Sequence, residues 1–548
     1  MRVTDAVAAT LAGLGADTLF GVVGSGNFHI TNALISQGAR YYAARHEGGA
    51  ACMADGWART AGRTGLLTVH QGPGLTNAMT GITEAAKSRT PLLVLAADVA
   101  GRAVSSNFRI DVAALAAAVG AVPERLHSPA SAAADTARAF HTAARLRRTV
   151  VLAMPLDVQA GECDRLPPPA APVLGPVAPA GDAADALAAE LARARRPVFV
   201  AGRGARVAGA GPDLAELAAS CGALLATSAA AKGLFRGSPW DLDVSGGFAT
   251  PLAAELISAA DLIVGWGCSL NMWTMRHGNL IGPEATVVQV DDDPAAIGAH
   301  RHVQLGVLGD AAETARAAHA ALGERFGSGH GYRTDEVRER IAREARWCSV
   351  PYTDETGGGR IDPRTLTIAL DGLLPAERTV GVDSGNFMGY PSMYLSVPDA
   401  AGFCFTQAYQ AIGLGLASAI GAAIARPDRL PVAALGDGGA LMGVSELETV
   451  ARLGLPMLLV VYDDEAYGAE VHHFGPDGHP LDIVRFPPTD IAGIARGFGC
   501  AAVTVRSPAD LGPVRAWVAG PRHQPMLIDA KVTADQGAWW LEEAFRGH

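Results

Sequence analysis

Short apolar runs alternate with helical stretches along almost the whole chain, and this alternation constrains the fold more than any other feature. Runs at 18–23, 40–43, 65–69, 92–96 and 149–154 have the length of buried strands and are separated by stretches with helical spacing. Parallel strands joined by helical crossovers bury such runs on both faces, so the pattern predicts a doubly wound parallel sheet. The rhythm returns at 198–201, 262–265 and 286–290, and again at 379–382, 431–435, 457–462 and 525–530. Two stretches interrupt it. Arg165-Leu-Pro-Pro-Pro-Ala-Ala-Pro-Val-Leu-Gly-Pro-Val-Ala-Pro179 can neither build a helix nor sit inside a sheet, and 328–359 is polar and rich in charge. The expected fold class is therefore α/β, with three doubly wound domains built on parallel sheets. They span 1–164, 181–327 and 361–548, joined by a Pro-rich linker at 165–180 and a second connection at 328–360. At 548 residues the chain is too long for one core, and the first and third units have the look of distant relatives.

Composition narrows the function. A hydrophobic fraction of 49% with 18% charged residues, 65 Gly and 33 Pro fits a chain rich in strand-to-helix turns. The net charge of −11 argues against a nucleic-acid partner, which calls for a basic face, and favours a small molecule. The seven cysteines carry no CxxC spacing, so neither a zinc site nor a disulfide framework is expected, and buried thiols in a reducing cytoplasm are. The first residues, Met-Arg-Val-Thr-Asp-Ala-Val, open an amphipathic helix without the apolar core of a signal peptide. The apolar stretch 411–425 is shorter than the ~20 residues of a membrane span and reads as a buried core helix.

The chemistry concentrates in the third unit. From Val432 to Gly468 the chain reads as a strand, a Gly436-Asp437-Gly438-Gly439 turn, a helix, a Gly-Leu-Pro break, a second strand and an acidic Asp463-Asp464 turn. In an open parallel sheet ligands bind beyond the carboxyl ends of strands, and both acidic turns fall there. A hard oxygen cage of this kind suits Mg²⁺, which takes one or two carboxylates and fills its shell with phosphate oxygens and water. Gly438 and Gly439 allow backbone N–H groups to approach a phosphate at the next helix N-terminus. A Gly-Asp-Gly on its own is also an ordinary tight turn; the second acidic turn separates the two readings.

At these residues the chain resembles the thiamine-diphosphate-dependent enzymes of the acetolactate synthase, benzoylformate decarboxylase and pyruvate decarboxylase superfamily, whose motif is a Gly-Asp-Gly followed some thirty residues later by Asn-Asn. The resemblance implies metal ligands at the Asp437 carboxylate, the Asp464 side chain and the Ala466 carbonyl, with Gly436, Tyr467 and Gly468 also at the cofactor. Asp463-Asp464 stands where most relatives have two asparagines. Gly381-Val-Asp-Ser-Gly-Asn-Phe-Met-Gly389 resembles the first diphosphate loop, with Asn386 the phosphate contact. In Thr406-Gln-Ala-Tyr-Gln-Ala-Ile-Gly413, Ile412 falls at the wedge between the cofactor's rings and the Gln410 carbonyl at the acceptor for its 4′-amino group. In the first unit, Arg45-His-Glu-Gly-Gly-Ala50 places Glu47 where the family's glutamate hydrogen-bonds N1′ and favours the imino tautomer that removes the C2 proton. Thr68-Val-His-Gln-Gly-Pro-Gly-Leu-Thr-Asn77 resembles the family's Gly-Pro-Gly turn. The three domains then become pyrimidine-binding, central and diphosphate-binding, and each active site joins the first domain of one subunit to the third of another in a homodimer or homotetramer.

The same resemblance assigns the reacting groups. His70 falls at the catalytic histidine of benzoylformate decarboxylase, with Gln71 beside it, and Glu470 at the acid/base glutamate of pyruvate decarboxylases. Ser25 falls on a substrate-side loop, and Arg109 at a pocket position that would hold a substrate carboxylate, a surface salt bridge being the alternative. His472 and His473, about 100° apart on a helix, cannot share an ion and read as pocket wall or surface. Gly265-Trp-Gly-Cys-Ser-Leu-Asn-Met-Trp273 departs from the synthases' flavin-contacting pattern, which argues against FAD and leaves an ADP-like ligand or an empty cleft. The implied activity is decarboxylation of a 2-oxo acid with carboligation to an acceptor. The alternatives are a simple decarboxylase, a 2-hydroxyacyl-CoA-type lyase and, from another class, a cofactor-binding regulatory protein.

Overall fold

Eighteen strands in the described residues form three six-stranded sheets, and every pairing within them is parallel. The structure is a computed structural model that describes residues 1–164, 174–323, 331–534 and 538–541. The first sheet holds β1 (Thr18–Gly21), β2 (Arg40–Ala43), β3 (Gly65–Val69), β4 (Leu92–Asp98), β5 (Val122–Arg125) and β6 (Thr149–Pro155), in the order β2-β1-β3-β4-β6-β5. The central sheet holds β7 (Pro197–Ala201), β8 (Leu224–Thr227), β9 (Asp241–Val244), β10 (Leu262–Trp266), β11 (Thr286–Asp291) and β12 (Leu305–Leu308), in the order β12-β11-β10-β7-β8-β9. The third holds β13 (Arg378–Val382), β14 (Phe403–Phe405), β15 (Leu430–Gly436), β16 (Leu458–Asp463), β17 (Ala501–Val505) and β18 (Met526–Lys531), in the order β14-β13-β15-β16-β18-β17. Counted within each unit, the first and third sheets share one topology, while the central sheet has the dinucleotide-fold order.

The first and third units are also fused through one core. Helix Glu47–Ala61 lies against helix Gly415–Ala425, and Ala50, Met53 and Trp57 share a hydrophobic cluster with Leu416, Ala419 and Ile420. The two backbones touch: a Cβ at Gly421 would collide with the Met53 carbonyl oxygen, and one at Gly56 with that of Ser418. Alanine and glycine in both helices are what permit so close a crossing. Glu84, in helix Pro73–Lys87, pairs with Arg59 at 2.8 Å and accepts from the Tyr409 N–H at 2.7 Å, fastening the loop before helix Gly415–Ala425. Arg206 of the central unit donates to the carbonyls of Arg59 (3.0 Å) and Phe403 (3.3 Å), so one guanidinium ties all three units together.

Within 331–360, read above as a connection, the chain forms helix Asp335–Glu344 and rests on the central unit through Arg340–Glu255 (2.8 Å) and Arg346–Asp241 (2.9 Å). Residues 165–173 of the Pro-rich stretch lie outside the described residues. The cysteines are free, as their spacing implies; Cys348, however, is exposed and Cys163 half-buried rather than enclosed. The stretch 411–425 does become a buried helix, Gly415–Ala425, and among the described residues no helix is long and apolar enough to cross a membrane.

Candidate active site

Beyond the carboxyl ends of β13, β15 and β16 lies a cavity of about 330 Å³. Its wall contains Asn386, Gln410, Ile412, Gly436, Asp437, Gly438, Gly439, Asp464, Ala466, Tyr467, Gly468 and Glu470, so the diphosphate-side residues read from the sequence converge on one space. Trp273 of the central unit and Leu541 near the C-terminus complete the wall. His472 and His473, on helix Gly468–Phe474 with Glu470, do not line it.

Local backbone explains the convergence. β15 ends at Gly436, which caps helix Asp437–Met442 and puts Asp437 in the first turn, above the strand end. β16 ends at Asp463, and a left-handed Glu465 (φ 59°) turns the chain so that Ala466 pairs with Arg485 and the next helix starts at Gly468. A Cβ at Gly468 would overlap an Asp464 carboxylate oxygen and crowd Asn386 at 3.2 Å, so only glycine lets those two side chains meet across it. A Cβ at Gly438 would lie 2.6 Å from the Tyr467 ring, which itself stacks edge-on against Phe486 at 4.9 Å. Asp463 turns the other way, buried against Lys531 and outside the cavity, so of the two acidic neighbours only Asp464 faces the ligand space.

The electrostatics favour a cation there. Burial, with Asp464 as the nearest repelling charge, pushes the Asp437 carboxyl far above the usual range; burial and Asp463 do the same to Asp464. Among the described residues no three His, Cys, Asp or Glu side chains gather to hold a metal. Two carboxylates and a backbone carbonyl are too few for a protein cage but fit an ion such as Mg²⁺ that completes its shell with phosphate oxygens. The residues present therefore fit a magnesium diphosphate.

Two carboxylates that the motif reading left unassigned hold the cradle together. Asp383, fully buried at the end of β13, accepts backbone N–H groups from Ser384 (2.9 Å), Gly413 (2.9 Å) and Leu414 (3.2 Å). It joins the loop of Asn386 to that of Ile412, and burial raises its pKa to about 6 against the lowering by those N–H bonds. Glu446 accepts from the N–H groups of Arg45 (3.0 Å) and His46 (3.1 Å), linking the approach to Glu47 with the third unit. Asp383 falls within the 381–389 stretch read from the sequence as a diphosphate loop, but burial and its backbone partners, not spacing, mark its role.

The candidates of the first unit form a second cluster, and none of them lines the cavity. Glu47 starts helix Glu47–Ala61, half-buried, and accepts from Asn77 Nδ2 at 3.1 Å. Ser25 Oγ lies 3.3 Å from His70 Nε2, His70 Nδ1 lies 2.8 Å from the Gln71 carbonyl, and the His70 ring packs edge-on against Phe108 at 5.3 Å. Gly74, in the Gly-Pro-Gly turn, brings this group together: a Cβ there would touch His70 at 3.0 Å and Glu47 at 3.5 Å. Gln71 is buried with an unpartnered Oε1. Arg109 is exposed and donates to the Val104 carbonyl at 3.2 Å, on the loop that carries Phe108. Thus the candidates of the first unit and the cavity of the third are separate groupings within one chain.

Comparison with known proteins covers the same three units. Family models match residues 1–116 (thiamine pyrophosphate enzyme, N-terminal TPP binding domain), 184–318 (central domain) and 383–530 (C-terminal TPP binding domain). A sulfoacetaldehyde acetyltransferase of Rhodobacter capsulatus is 30% identical over 99% of this chain and 97% of its own length. A putative acetolactate synthase large subunit of Mycobacterium tuberculosis is 29% identical over 89% of this chain and 90% of its own. A probable 2-ketoarginine decarboxylase of Pseudomonas aeruginosa is 30% identical over 92% and 89%.

Proposed function

The chain belongs to the thiamine pyrophosphate enzyme family, and from that premise we propose that it decarboxylates a 2-oxo acid such as pyruvate and joins the resulting acyl unit to an acceptor carbonyl or other electrophile. The observation that carries the reading is the pair of buried Asp437 and half-buried Asp464, on the wall of one cavity with glycines at the strand ends and with Asn386, Gln410 and Ile412. Thiamine diphosphate, when bound, supplies the carbon that adds to the oxo acid and stores the electron pair left as CO₂ departs.

The chain's own groups do the rest. Asp437, Asp464 and the Ala466 carbonyl would hold Mg²⁺, and Asn386 would donate to a phosphate oxygen. The Gln410 carbonyl would accept from the 4′-amino group, and Ile412 would pack against the cofactor's rings. Glu47 would share a proton with N1′ and would come from a second copy of the chain, since the Glu47 of the same chain does not line this cavity. The assembly is therefore a homodimer or homotetramer with its sites between subunits. Exposed Val23, Phe28 and Val104 in the first unit, and Met442, Phe474 and Ile483 in the third, support burial of both surfaces.

In the bond-forming step the C1–C2 bond of the oxo acid breaks, and its electron pair then makes a C–C bond to the acceptor. The acceptor oxygen takes up a proton, for which Glu470 and His70 are the positioned donors. Two of the similar proteins are named as an acetyltransferase and an acetolactate synthase, which supports transfer to an acceptor. The third is named as a decarboxylase, which favours simple release of an aldehyde as the second reading. Incubation with pyruvate, alone and with a panel of aldehydes and 2-oxo acids, followed by mass spectrometry, separates them. The expected products are 2-hydroxy ketones, slowed roughly 10²-fold in Glu470→Gln and His70→Ala. Acetaldehyde as the sole product overturns the transfer reading.

A further inference from the structure

Gln407, three residues before Gln410, presents to the same cavity a carboxamide that the chain itself leaves unused. Nε2 and Oε1 are both buried, and neither has a hydrogen-bond partner among the described residues. Native proteins rarely leave both ends of a buried amide unpaired, because each end has given up its hydrogen bonds to water. The backbone around it is pinned. Thr406 Oγ1 donates to the Val382 carbonyl at 3.2 Å, and the N–H groups of Ala408 and Tyr409 donate to Glu84 at 3.2 Å and 2.7 Å. The amide is thus presented from a rigid turn.

Its position in the sheet says what it faces. Gln407 follows β14, the edge strand, and the order β14-β13-β15-β16 puts two strand spacings between it and the end of β15 and three between it and β16. At ~4.8 Å per spacing, Asp437 and Asp464 rise from strands roughly 10 and 14 Å away, beyond the reach of one metal-bound diphosphate. On the reading of the cavity as a thiamine diphosphate site, the cofactor's amino group and N1′ are assigned to Gln410 and Glu47, and both ends of this amide stay open to the other molecule in the site. We infer that Gln407 is a substrate-binding residue: Nε2 donates to a carboxylate or carbonyl oxygen of the 2-oxo acid. Oε1 sets a preference as well. A 2-oxo acid carrying an O–H or N–H donor beside the oxo group satisfies both ends of the amide, whereas pyruvate satisfies one.

The test uses the full-length protein loaded with thiamine diphosphate and Mg²⁺, titrated with pyruvate and with 3-hydroxypyruvate. Intrinsic tryptophan fluorescence reports binding, since Trp273 stands in the cavity wall. Gln407→Leu removes the amide at similar volume, and Gln407→Glu keeps its shape while replacing the donor with a negative charge. Both variants should take up thiamine diphosphate like the wild type. The wild type should bind hydroxypyruvate more tightly than pyruvate, and both variants should bind hydroxypyruvate about tenfold or more weakly, with the preference lost in Gln407→Leu, which has no acceptor oxygen. Wild-type affinities for both acids in Gln407→Leu overturn the assignment of Gln407, as does weakening confined to cofactor uptake or to subunit association. A wild-type protein that takes up neither cofactor nor acid overturns the reading of the site itself.

Discussion

Burial raises the pKa of both Asp437 and Asp464, with repulsion from Asp464 adding to it at Asp437 and from Asp463 at Asp464, so both hold a proton to higher pH than a free aspartate. Without metal, the folded chain therefore binds more protons than the unfolded one, and its stability falls as pH rises from about 4 through the raised values. A divalent cation reverses this by pairing with the ionised forms. We predict that Mg²⁺ with thiamine diphosphate raises the melting temperature more near about pH 8 than near about pH 6; equal shifts in calorimetry at both would speak against these two as ligands. Asp464→Asn should keep much of the magnesium-dependent cofactor binding and flatten its pH dependence, whereas Asp464→Ala should weaken it. A Glu47→Ala variant should bind the cofactor yet lose exchange of its C2 proton for deuterium, read by quenched NMR, because Glu47 lies in a cluster apart from the diphosphate cradle. Exchange at the wild-type rate would remove Glu47 from the chemistry. Residues such as Asp437, Asn386 and Glu470 were legible because their motifs lie at strand ends. Asp383 and Gln407 were not, because what marks them is burial and the presence or absence of partners, which no spacing encodes.

At the scale of elements, the crossing of helices Glu47–Ala61 and Gly415–Ala425 holds the first and third units together through backbone contact. Gly421→Ala must push the helices apart, since the added methyl would sit inside the Met53 carbonyl. A loss of about 1–3 kcal/mol in urea unfolding is expected, the usual scale of overpacking; an unchanged midpoint would mean the contact is looser than it looks. The strands show where apolar pattern stops being informative. Interior strands such as β4, β6, β10 and β16 are buried along their whole length, are mostly apolar and stand out in the sequence. The strands that the pattern passes over are β5, β8, β9, β12, β14 and β17. Five of these are sheet edges, and β5 (Val-Pro-Glu-Arg) and β12 alternate buried with exposed positions. An edge strand buries less, is shorter, and resembles a loop until its neighbour supplies the pairing.

The molecule as a whole carries two groupings of candidate residues, which the proposed function treats as half-sites: the cavity of the third unit, and the Ser25, Glu47, His70 cluster of the first. The two units share a common core, which fixes one against the other within a chain. In the proposed assembly a second copy brings its first unit to the cavity. This is tested by mixing two inactive variants, Glu47→Ala and Asp437→Ala, by coexpression with different tags. A mixed dimer pairs the intact Glu47 of one chain with the intact Asp437 of the other, so one of its two sites is whole. Random assortment makes half the dimers mixed, and C2 proton exchange should recover to about a quarter of the wild-type level. Exchange no higher than in either variant alone would contradict a site shared between subunits.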